Sequence, residues 1–276
     1  MSPLPWRQVQ LSDADLRFVV RTVATQRQDH ERVAEIVRDK PDLLDVMLED
    51  ELLFRRVTED EEVLLAISPW LLFSVLLRRA GKELAQARFT IERTGTTERI
   101  PVFDADQVTV LMRDPAVRDY LADLLASFVR TESTTVWYRS GRRFRRRTYS
   151  DLDVDDMIGL AGRVPPELRF PYYKRIGDVC LFITGVFPEY VLPGLDPTAS
   201  VRAPMRWSRT RRSLPDYAVE ARRFYGLAAS HTQAQTSGLA EVLGTLSQHF
   251  ELARKPLNLI SDRYIRMQRA RWFGGE

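Results

Sequence analysis

The chain has 276 residues, 44% of them apolar and 29% charged, and carries a net charge of +3. So much apolar sequence can bury a sizeable core without staples, which excludes a disordered chain. The single cysteine, Cys180, excludes an internal disulfide, and the longest apolar stretch, residues 63–77, is interrupted by Ser68-Pro69 and falls short of the ~20 residues that span a bilayer.

The chain opens Met1-Ser2-Pro3-Leu4-Pro5-Trp6-Arg7, without the basic start and apolar core of a secretory signal. It therefore reads as cytoplasmic. Of 41 basic residues only Lys40, Lys82, Lys174 and Lys255 are lysines. Arginine-favouring codons of a GC-rich, bacterial genome account for that choice. Its consequence is physical: arginine forks grip carboxylates and phosphates bidentately and stack on rings.

In chain order, Leu16, Val19, Val20 and Val23 recur at helical spacing behind Ser12, an N-cap candidate. A second helix carries Val33, Ile36 and Val37 and stops at Lys40-Pro41. A third begins at that proline with Leu43, Leu44 and Met47. Thr58 and Glu61 have capping-box spacing ahead of the next apolar run. Ser68-Pro69 restarts a helix whose face Leu77, Ala80, Leu84, Ala87, Ile91 extends it to about Arg93, with Gly95 as its stop. Short helices follow Asp104 and Asp114-Pro115, the latter with Val117, Leu121, Leu124, Leu125 and Phe128.

The pattern changes at Thr134. Aromatic and β-branched residues flank a short glycine turn, Ser140-Gly141-Arg142, predicting one arginine-rich β-hairpin near residues 135–149. Asp153 caps a short helix through Leu160. Residues 172–187 read as a helix that is apolar almost all round between Val179 and Phe187, the mark of a buried central helix. Residues 188–215, rich in proline and arginine, read as a loop. Three helices close the chain, at about 215–230, 236–254 and 256–269. The expected fold class is mainly α, multi-helical and globular.

Charge is divided unevenly. Residues 1–134 hold 18 basic and 24 acidic residues; the remainder holds 23 and 14. This suggests an acidic helical lobe over 1–133. A basic lobe follows over 134–276, with the hairpin, the buried helix, the loop and the C-terminal helices. The two could equally form one continuous domain. Such asymmetry points to an anionic partner for the basic half, or to docking between the halves of two copies.

The basic half interleaves arginine with aromatics: Trp137, Arg139, Arg142, Arg143, Phe144, Arg145, Arg146 and Arg147 in the hairpin, Arg206, Trp207, Arg209, Arg211 and Arg212 in the loop. That is the chemistry of backbone neutralisation and base stacking. Arginines that keep an edge strand soluble, or that pair with the chain's own carboxylates, would read the same way.

Catalytic motifs are missing. His30, His231 and His249 read as helix-end residues and have no partner at metal-ligand spacing. Cys180, inside an apolar run, reads as a buried thiol. Asp151, Asp153, Asp155 and Asp156 form an acidic cluster without the glycine and distal glutamate of an EF-hand, so capping and pairing with arginines are expected instead. No cofactor or metal is implied. The expectation is a non-enzymatic, regulatory or binding protein whose basic half engages an acidic protein surface or nucleic acid, away from membranes. The alternative is a helical enzyme or small-ligand binder with a site near Tyr172, Tyr225, His231 and Glu241.

Overall fold

The computed structural model describes residues 11–95, 98–129, 153–191 and 212–265, with the backbone of 133–140 and 143–150. The molecule is built from α-helices, as the apolar spacing predicts. The first is α1, Asp13–Val23, where Ser12 and Asp15 form a capping box. Next come α2, His30–Arg38, and α3, Pro41–Leu48. Asp50 and Asp60 cap α4, Glu51–Glu59, and α5, Glu61–Ala66. Thr58 does not cap: its hydroxyl donates back to Phe54 O at 2.8 Å. The carboxylate of Asp60, one residue before the helix, accepts from Glu62 N and Val63 N instead.

Ser68 caps α6, Pro69–Gln86, with the proline in its first turn. This helix stops seven residues before the expected Arg93. Beyond Ala87 the chain is extended and forms a second, shorter hairpin, β1 (Thr90–Arg93) against β2 (Arg99–Val102). The apolar spacing through Ile91 is overruled by tertiary bonds: Thr90 donates to Asp104, and Glu92 is held by Arg254 and Lys255. Then follow α7, Ala105–Arg113, and α8, Pro115–Ser127.

Strands β3 (Ser133–Ser140) and β4 (Arg143–Ser150) form the predicted hairpin. Asp153 caps α9, Val154–Ala161. The central helix α10, Phe170–Val186, is buried without a break from Ile176 to Val186. The C-terminal region has four helices where three were expected: α11, Leu214–Ala229; α12, Thr232–Ser237; α13, Ala240–Gln248; and α14, Phe250–Ile260. The break falls at His249, and Pro256 lies inside α14. A proline costs its helix one hydrogen bond, yet α14 buries Phe250, Ala253, Leu257 and Ile260 on one stripe, which holds it helical across that site. A wide π-turn, residues 261–265, follows.

Helix α10 packs against α11, α14, α9 and α8. Buried apolar residues from Leu16 to Ile265 form one cluster. Residues before position 134 meet the C-terminal helices directly: Glu83 accepts from Arg263 and Tyr264, Arg93 donates to Asp262 at 2.6 Å, and the rings of Phe54 and Tyr264 meet edge to face at 5.5 Å. Among the described residues no helix is long and apolar enough to cross a membrane.

Candidate functional site

In the β3–β4 ribbon, Val136 stands opposite Arg147, Trp137 opposite Arg146, Tyr138 opposite Arg145, Arg139 opposite Phe144 and Ser140 opposite Arg143. Opposed residues of an antiparallel pair share a face, and faces alternate along each strand. One face thus carries the positions Trp137/Arg146 and Arg139/Phe144. The other carries Val136/Arg147, Tyr138/Arg145 and Ser140/Arg143. Each face sets arginine across from an aromatic, so neither has the composition of a surface seated on an apolar core. The two strands form a sheet of their own. Arg142, Arg206, Trp207, Arg209 and Arg211 lie outside the described residues.

Arg212 pairs with Asp155, donating Nη1 at 3.2 Å and Nη2 to the same carboxylate, and its side chain is only 12% exposed. Asp153 accepts from Asp155 N and Asp156 N at the start of α9. Capping accounts for Asp153 and arginine pairing for Asp155. Asp151 lies outside the described residues.

The second candidate group sits on several elements. Tyr225 of α11 is fully buried and its hydroxyl donates to Asp178 at 3.0 Å. Tyr172 is partly buried at the start of α10. Glu241 lies exposed in the first turn of α13. His231 does not end a helix, as expected, but starts one: its Nδ1 accepts from Gln233 N at 3.1 Å, which leaves Nε2 to donate to Pro166 O at 3.1 Å. Its ring is also 5.7 Å from that of Phe170. No hydrogen bond, ion pair or ring contact joins these four residues to one another.

Three buried ionic clusters were invisible in the sequence. In the first, Asp178 on α10 is 1% exposed and accepts from Tyr120 at 2.6 Å, Tyr225 at 3.0 Å and Lys174 at 2.8 Å. Burial, and then the charge of Asp178, push both tyrosines well above their usual pKa. Burial also raises nearby Asp123, against the pull of Lys174. In the second, Arg78 is 2% exposed and donates to Ser74 O, Asp45 and Asp119. Arg118 stands 3.7 Å from the same Asp45, and burial together with the neighbouring Arg78 lowers its pKa. The third joins Glu92 and Asp104 to Lys255, and Glu92 to Arg254. Burial works against the Glu92 charge, but Arg254 and Lys255 outweigh it and hold the carboxyl below its usual range. Apart from the i,i+4 pair Lys174–Asp178, the side-chain partners lie 33 to 163 residues apart and leave no local sequence signal.

A groove of about 400 Å³ opens between α7 and the α13–α14 corner, lined by Gln107, Val110, Leu111, Asp114, Thr245, His249 and Leu252. Cys180 is buried, and burial raises its thiol far above the usual value. Among the described residues no three His, Cys, Asp or Glu side chains converge as metal ligands would. Comparison with protein-family models, with curated proteins and with solved structures finds no match for this chain.

Proposed function

We propose that this protein is a binding protein, not a catalyst, and that it engages nucleic acid along the β3–β4 ribbon. The observation that carries the proposal is the register. It sets arginine positions across from Trp137, Tyr138 and Phe144 on both faces of a two-stranded sheet. Arginine supplies phosphate contacts and aromatics supply stacking, neither of which needs a particular base.

Several carboxylates of the acidic half are already held by the body's own cations and are not open to the ribbon. Asp45, Glu83, Glu92, Asp104 and Asp119 are engaged by cations within the helical body. Ligand-site candidates fare less well: Tyr225 is sealed from solvent and His231 is occupied as a helix cap. The reading sets the protein in the cytoplasm, which suits a lone buried thiol.

The test is purification from producing cells with and without nuclease. The expected result is nucleic acid co-eluting with the untreated protein, seen as excess absorbance at the nucleic-acid maximum and lost after treatment. Protein that elutes free of nucleic acid in both preparations, with an acidic protein in its place, would move the ribbon's partner to the protein class.

A further inference from the structure

The shorter hairpin has an unusual outward face. Glu92 and Thr90 are tied inward to Arg254, Lys255 and Asp104, which fixes the hairpin's orientation. Ile91 and Pro101 pair across the ladder on the face opposite Thr90 and Glu92, and Phe89 and Phe103 flank the end of that ladder. All four are exposed, Phe103 by 80%, and the rings of Phe89 and Phe103 meet edge to face at 6.1 Å. Arg88 and Arg99 flank this patch, both exposed and without an ion pair among the described residues. An exposed aromatic-aliphatic patch rimmed by charge marks an interaction surface.

The same chain carries a surface of opposite character. Between α4 and α5 lies an open depression of about 550 Å³, bounded by Leu52, Glu59, Asp60, Glu61 and Glu62 together with Arg55 and Arg56. Leu52 is exposed there, and Leu65, one turn on from Glu61, is 76% exposed. Its two arginines are already committed, Arg55 to Glu51, and Arg56 to Thr22 and the Phe18 ring. Glu59, Glu61 and Glu62 are exposed and have no cation partner among the described residues.

We infer that the Phe89–Phe103 face docks in the α4–α5 depression of a second copy of this chain, head to tail. Packing the hairpin face against its own counterpart would set Arg88 and Arg99 against like charges, which disfavours a two-fold arrangement. Head to tail, apolar meets apolar and arginine meets free glutamate. The patch is on the order of a few hundred Å², well below the ~800 Å² per partner of a standard stable interface. The association is therefore weak and reversible, and because it is heterologous it does not close at two copies.

The experiment is sedimentation velocity on nuclease-treated protein, so that bridging by nucleic acid is removed. Wild-type protein is expected to self-associate reversibly, with a Kd on the order of 10–100 µM, beyond the dimer as concentration rises. Phe103→Ser, and separately E61K with E62K, should each be monomeric; all three positions are exposed, and unchanged circular dichroism and melting temperature control for the loss of the acidic first turn of α5. Mixing the two variants should restore a single 1:1 dimer that grows no further, because one intact hairpin meets one intact depression. A monomeric wild type at all concentrations, variants that associate as wild type does, or a mixture that stays monomeric would each overturn the inference.

Discussion

The ring of Tyr225 lies 2.7 Å from where a β-carbon on Gly177 would have to be. One residue along α10, Asp178 accepts the hydroxyl of the same tyrosine. The glycine lets α11 approach closely enough for that bond to form between two buried groups. Gly185 makes the same allowance for Leu257 of α14, at 2.8 Å. In the sequence both glycines argue against a helix; in the fold they are what lets the central helix be surrounded.

Gly177→Ala should therefore destabilise the protein although alanine is the better helix former. Overpacking at a tight contact costs about 1–3 kcal/mol, more than the ~1 kcal/mol that helix propensity returns. Urea unfolding checks the sign: a lower midpoint is expected, and a midpoint at or above that of wild type would show that Tyr225 yields freely.

Asp178→Leu should be among the most damaging substitutions in the chain. It leaves the donors of Tyr120, Tyr225 and Lys174 without their shared acceptor. Removing one side of such a buried network costs about 3–5 kcal/mol. Tyr225→Phe removes one hydrogen bond to a charged group and should cost about 1.5–3 kcal/mol. A thermal melt of the two variants should rank them in that order. Equal melting points would mean that the tyrosine, not the carboxylate, is the keystone.

Asp123 gives a pH-dependent counterpart. Its folded-state pKa is raised above the usual 3.8, chiefly by burial. The stability it contributes is present below that unfolded value and is lost as pH rises through the folded value. At neutral pH its charge opposes folding, so Asp123→Asn should melt higher than wild type at pH 7, and the gain should shrink toward pH 3. Calorimetry across that range tests the sign; a lower melting point at pH 7 would mean that Lys174 compensates the carboxylate fully.

Features written in short-range patterns were legible in the sequence. Leu16, Val19 and Val20 on α1, Val117 to Phe128 on α8, and the caps Ser12, Ser68 and Asp153 all act as their spacing predicts. The β3–β4 strands fall within two residues of the expected hairpin. What misled was local pattern overruled from a distance. Ile91 continues the helical stripe of α6, yet Glu92 is claimed by Arg254 and Lys255 more than 160 residues away. Pro256 looks like a helix start, but the stripe from Phe250 to Ile260 carries the helix through it. His231 looks like a helix end because its polar followers form a helix only one and a half turns long. The hairpin half of the proposed site could be singled out in advance because arginine, aromatic and turn residues are contiguous there; Asp178 and its donors come from three helices.

Equilibrium binding of a fluorescently labelled single-stranded oligonucleotide, followed by anisotropy, tests the role of the ribbon most directly. Wild-type protein is compared with a variant in which Arg143, Arg145, Arg146 and Arg147 are all changed to Gln. Wild type should bind with an affinity that falls steeply with salt, with a log–log slope of about −0.7 per phosphate neutralised on a single strand. The variant should lose at least tenfold in affinity and most of that slope while melting at the wild-type temperature. Wild type that fails to bind, or a variant that binds as wild type does, would contradict the account. A variant that loses melting temperature would instead show the four arginines docked on the protein's own carboxylates.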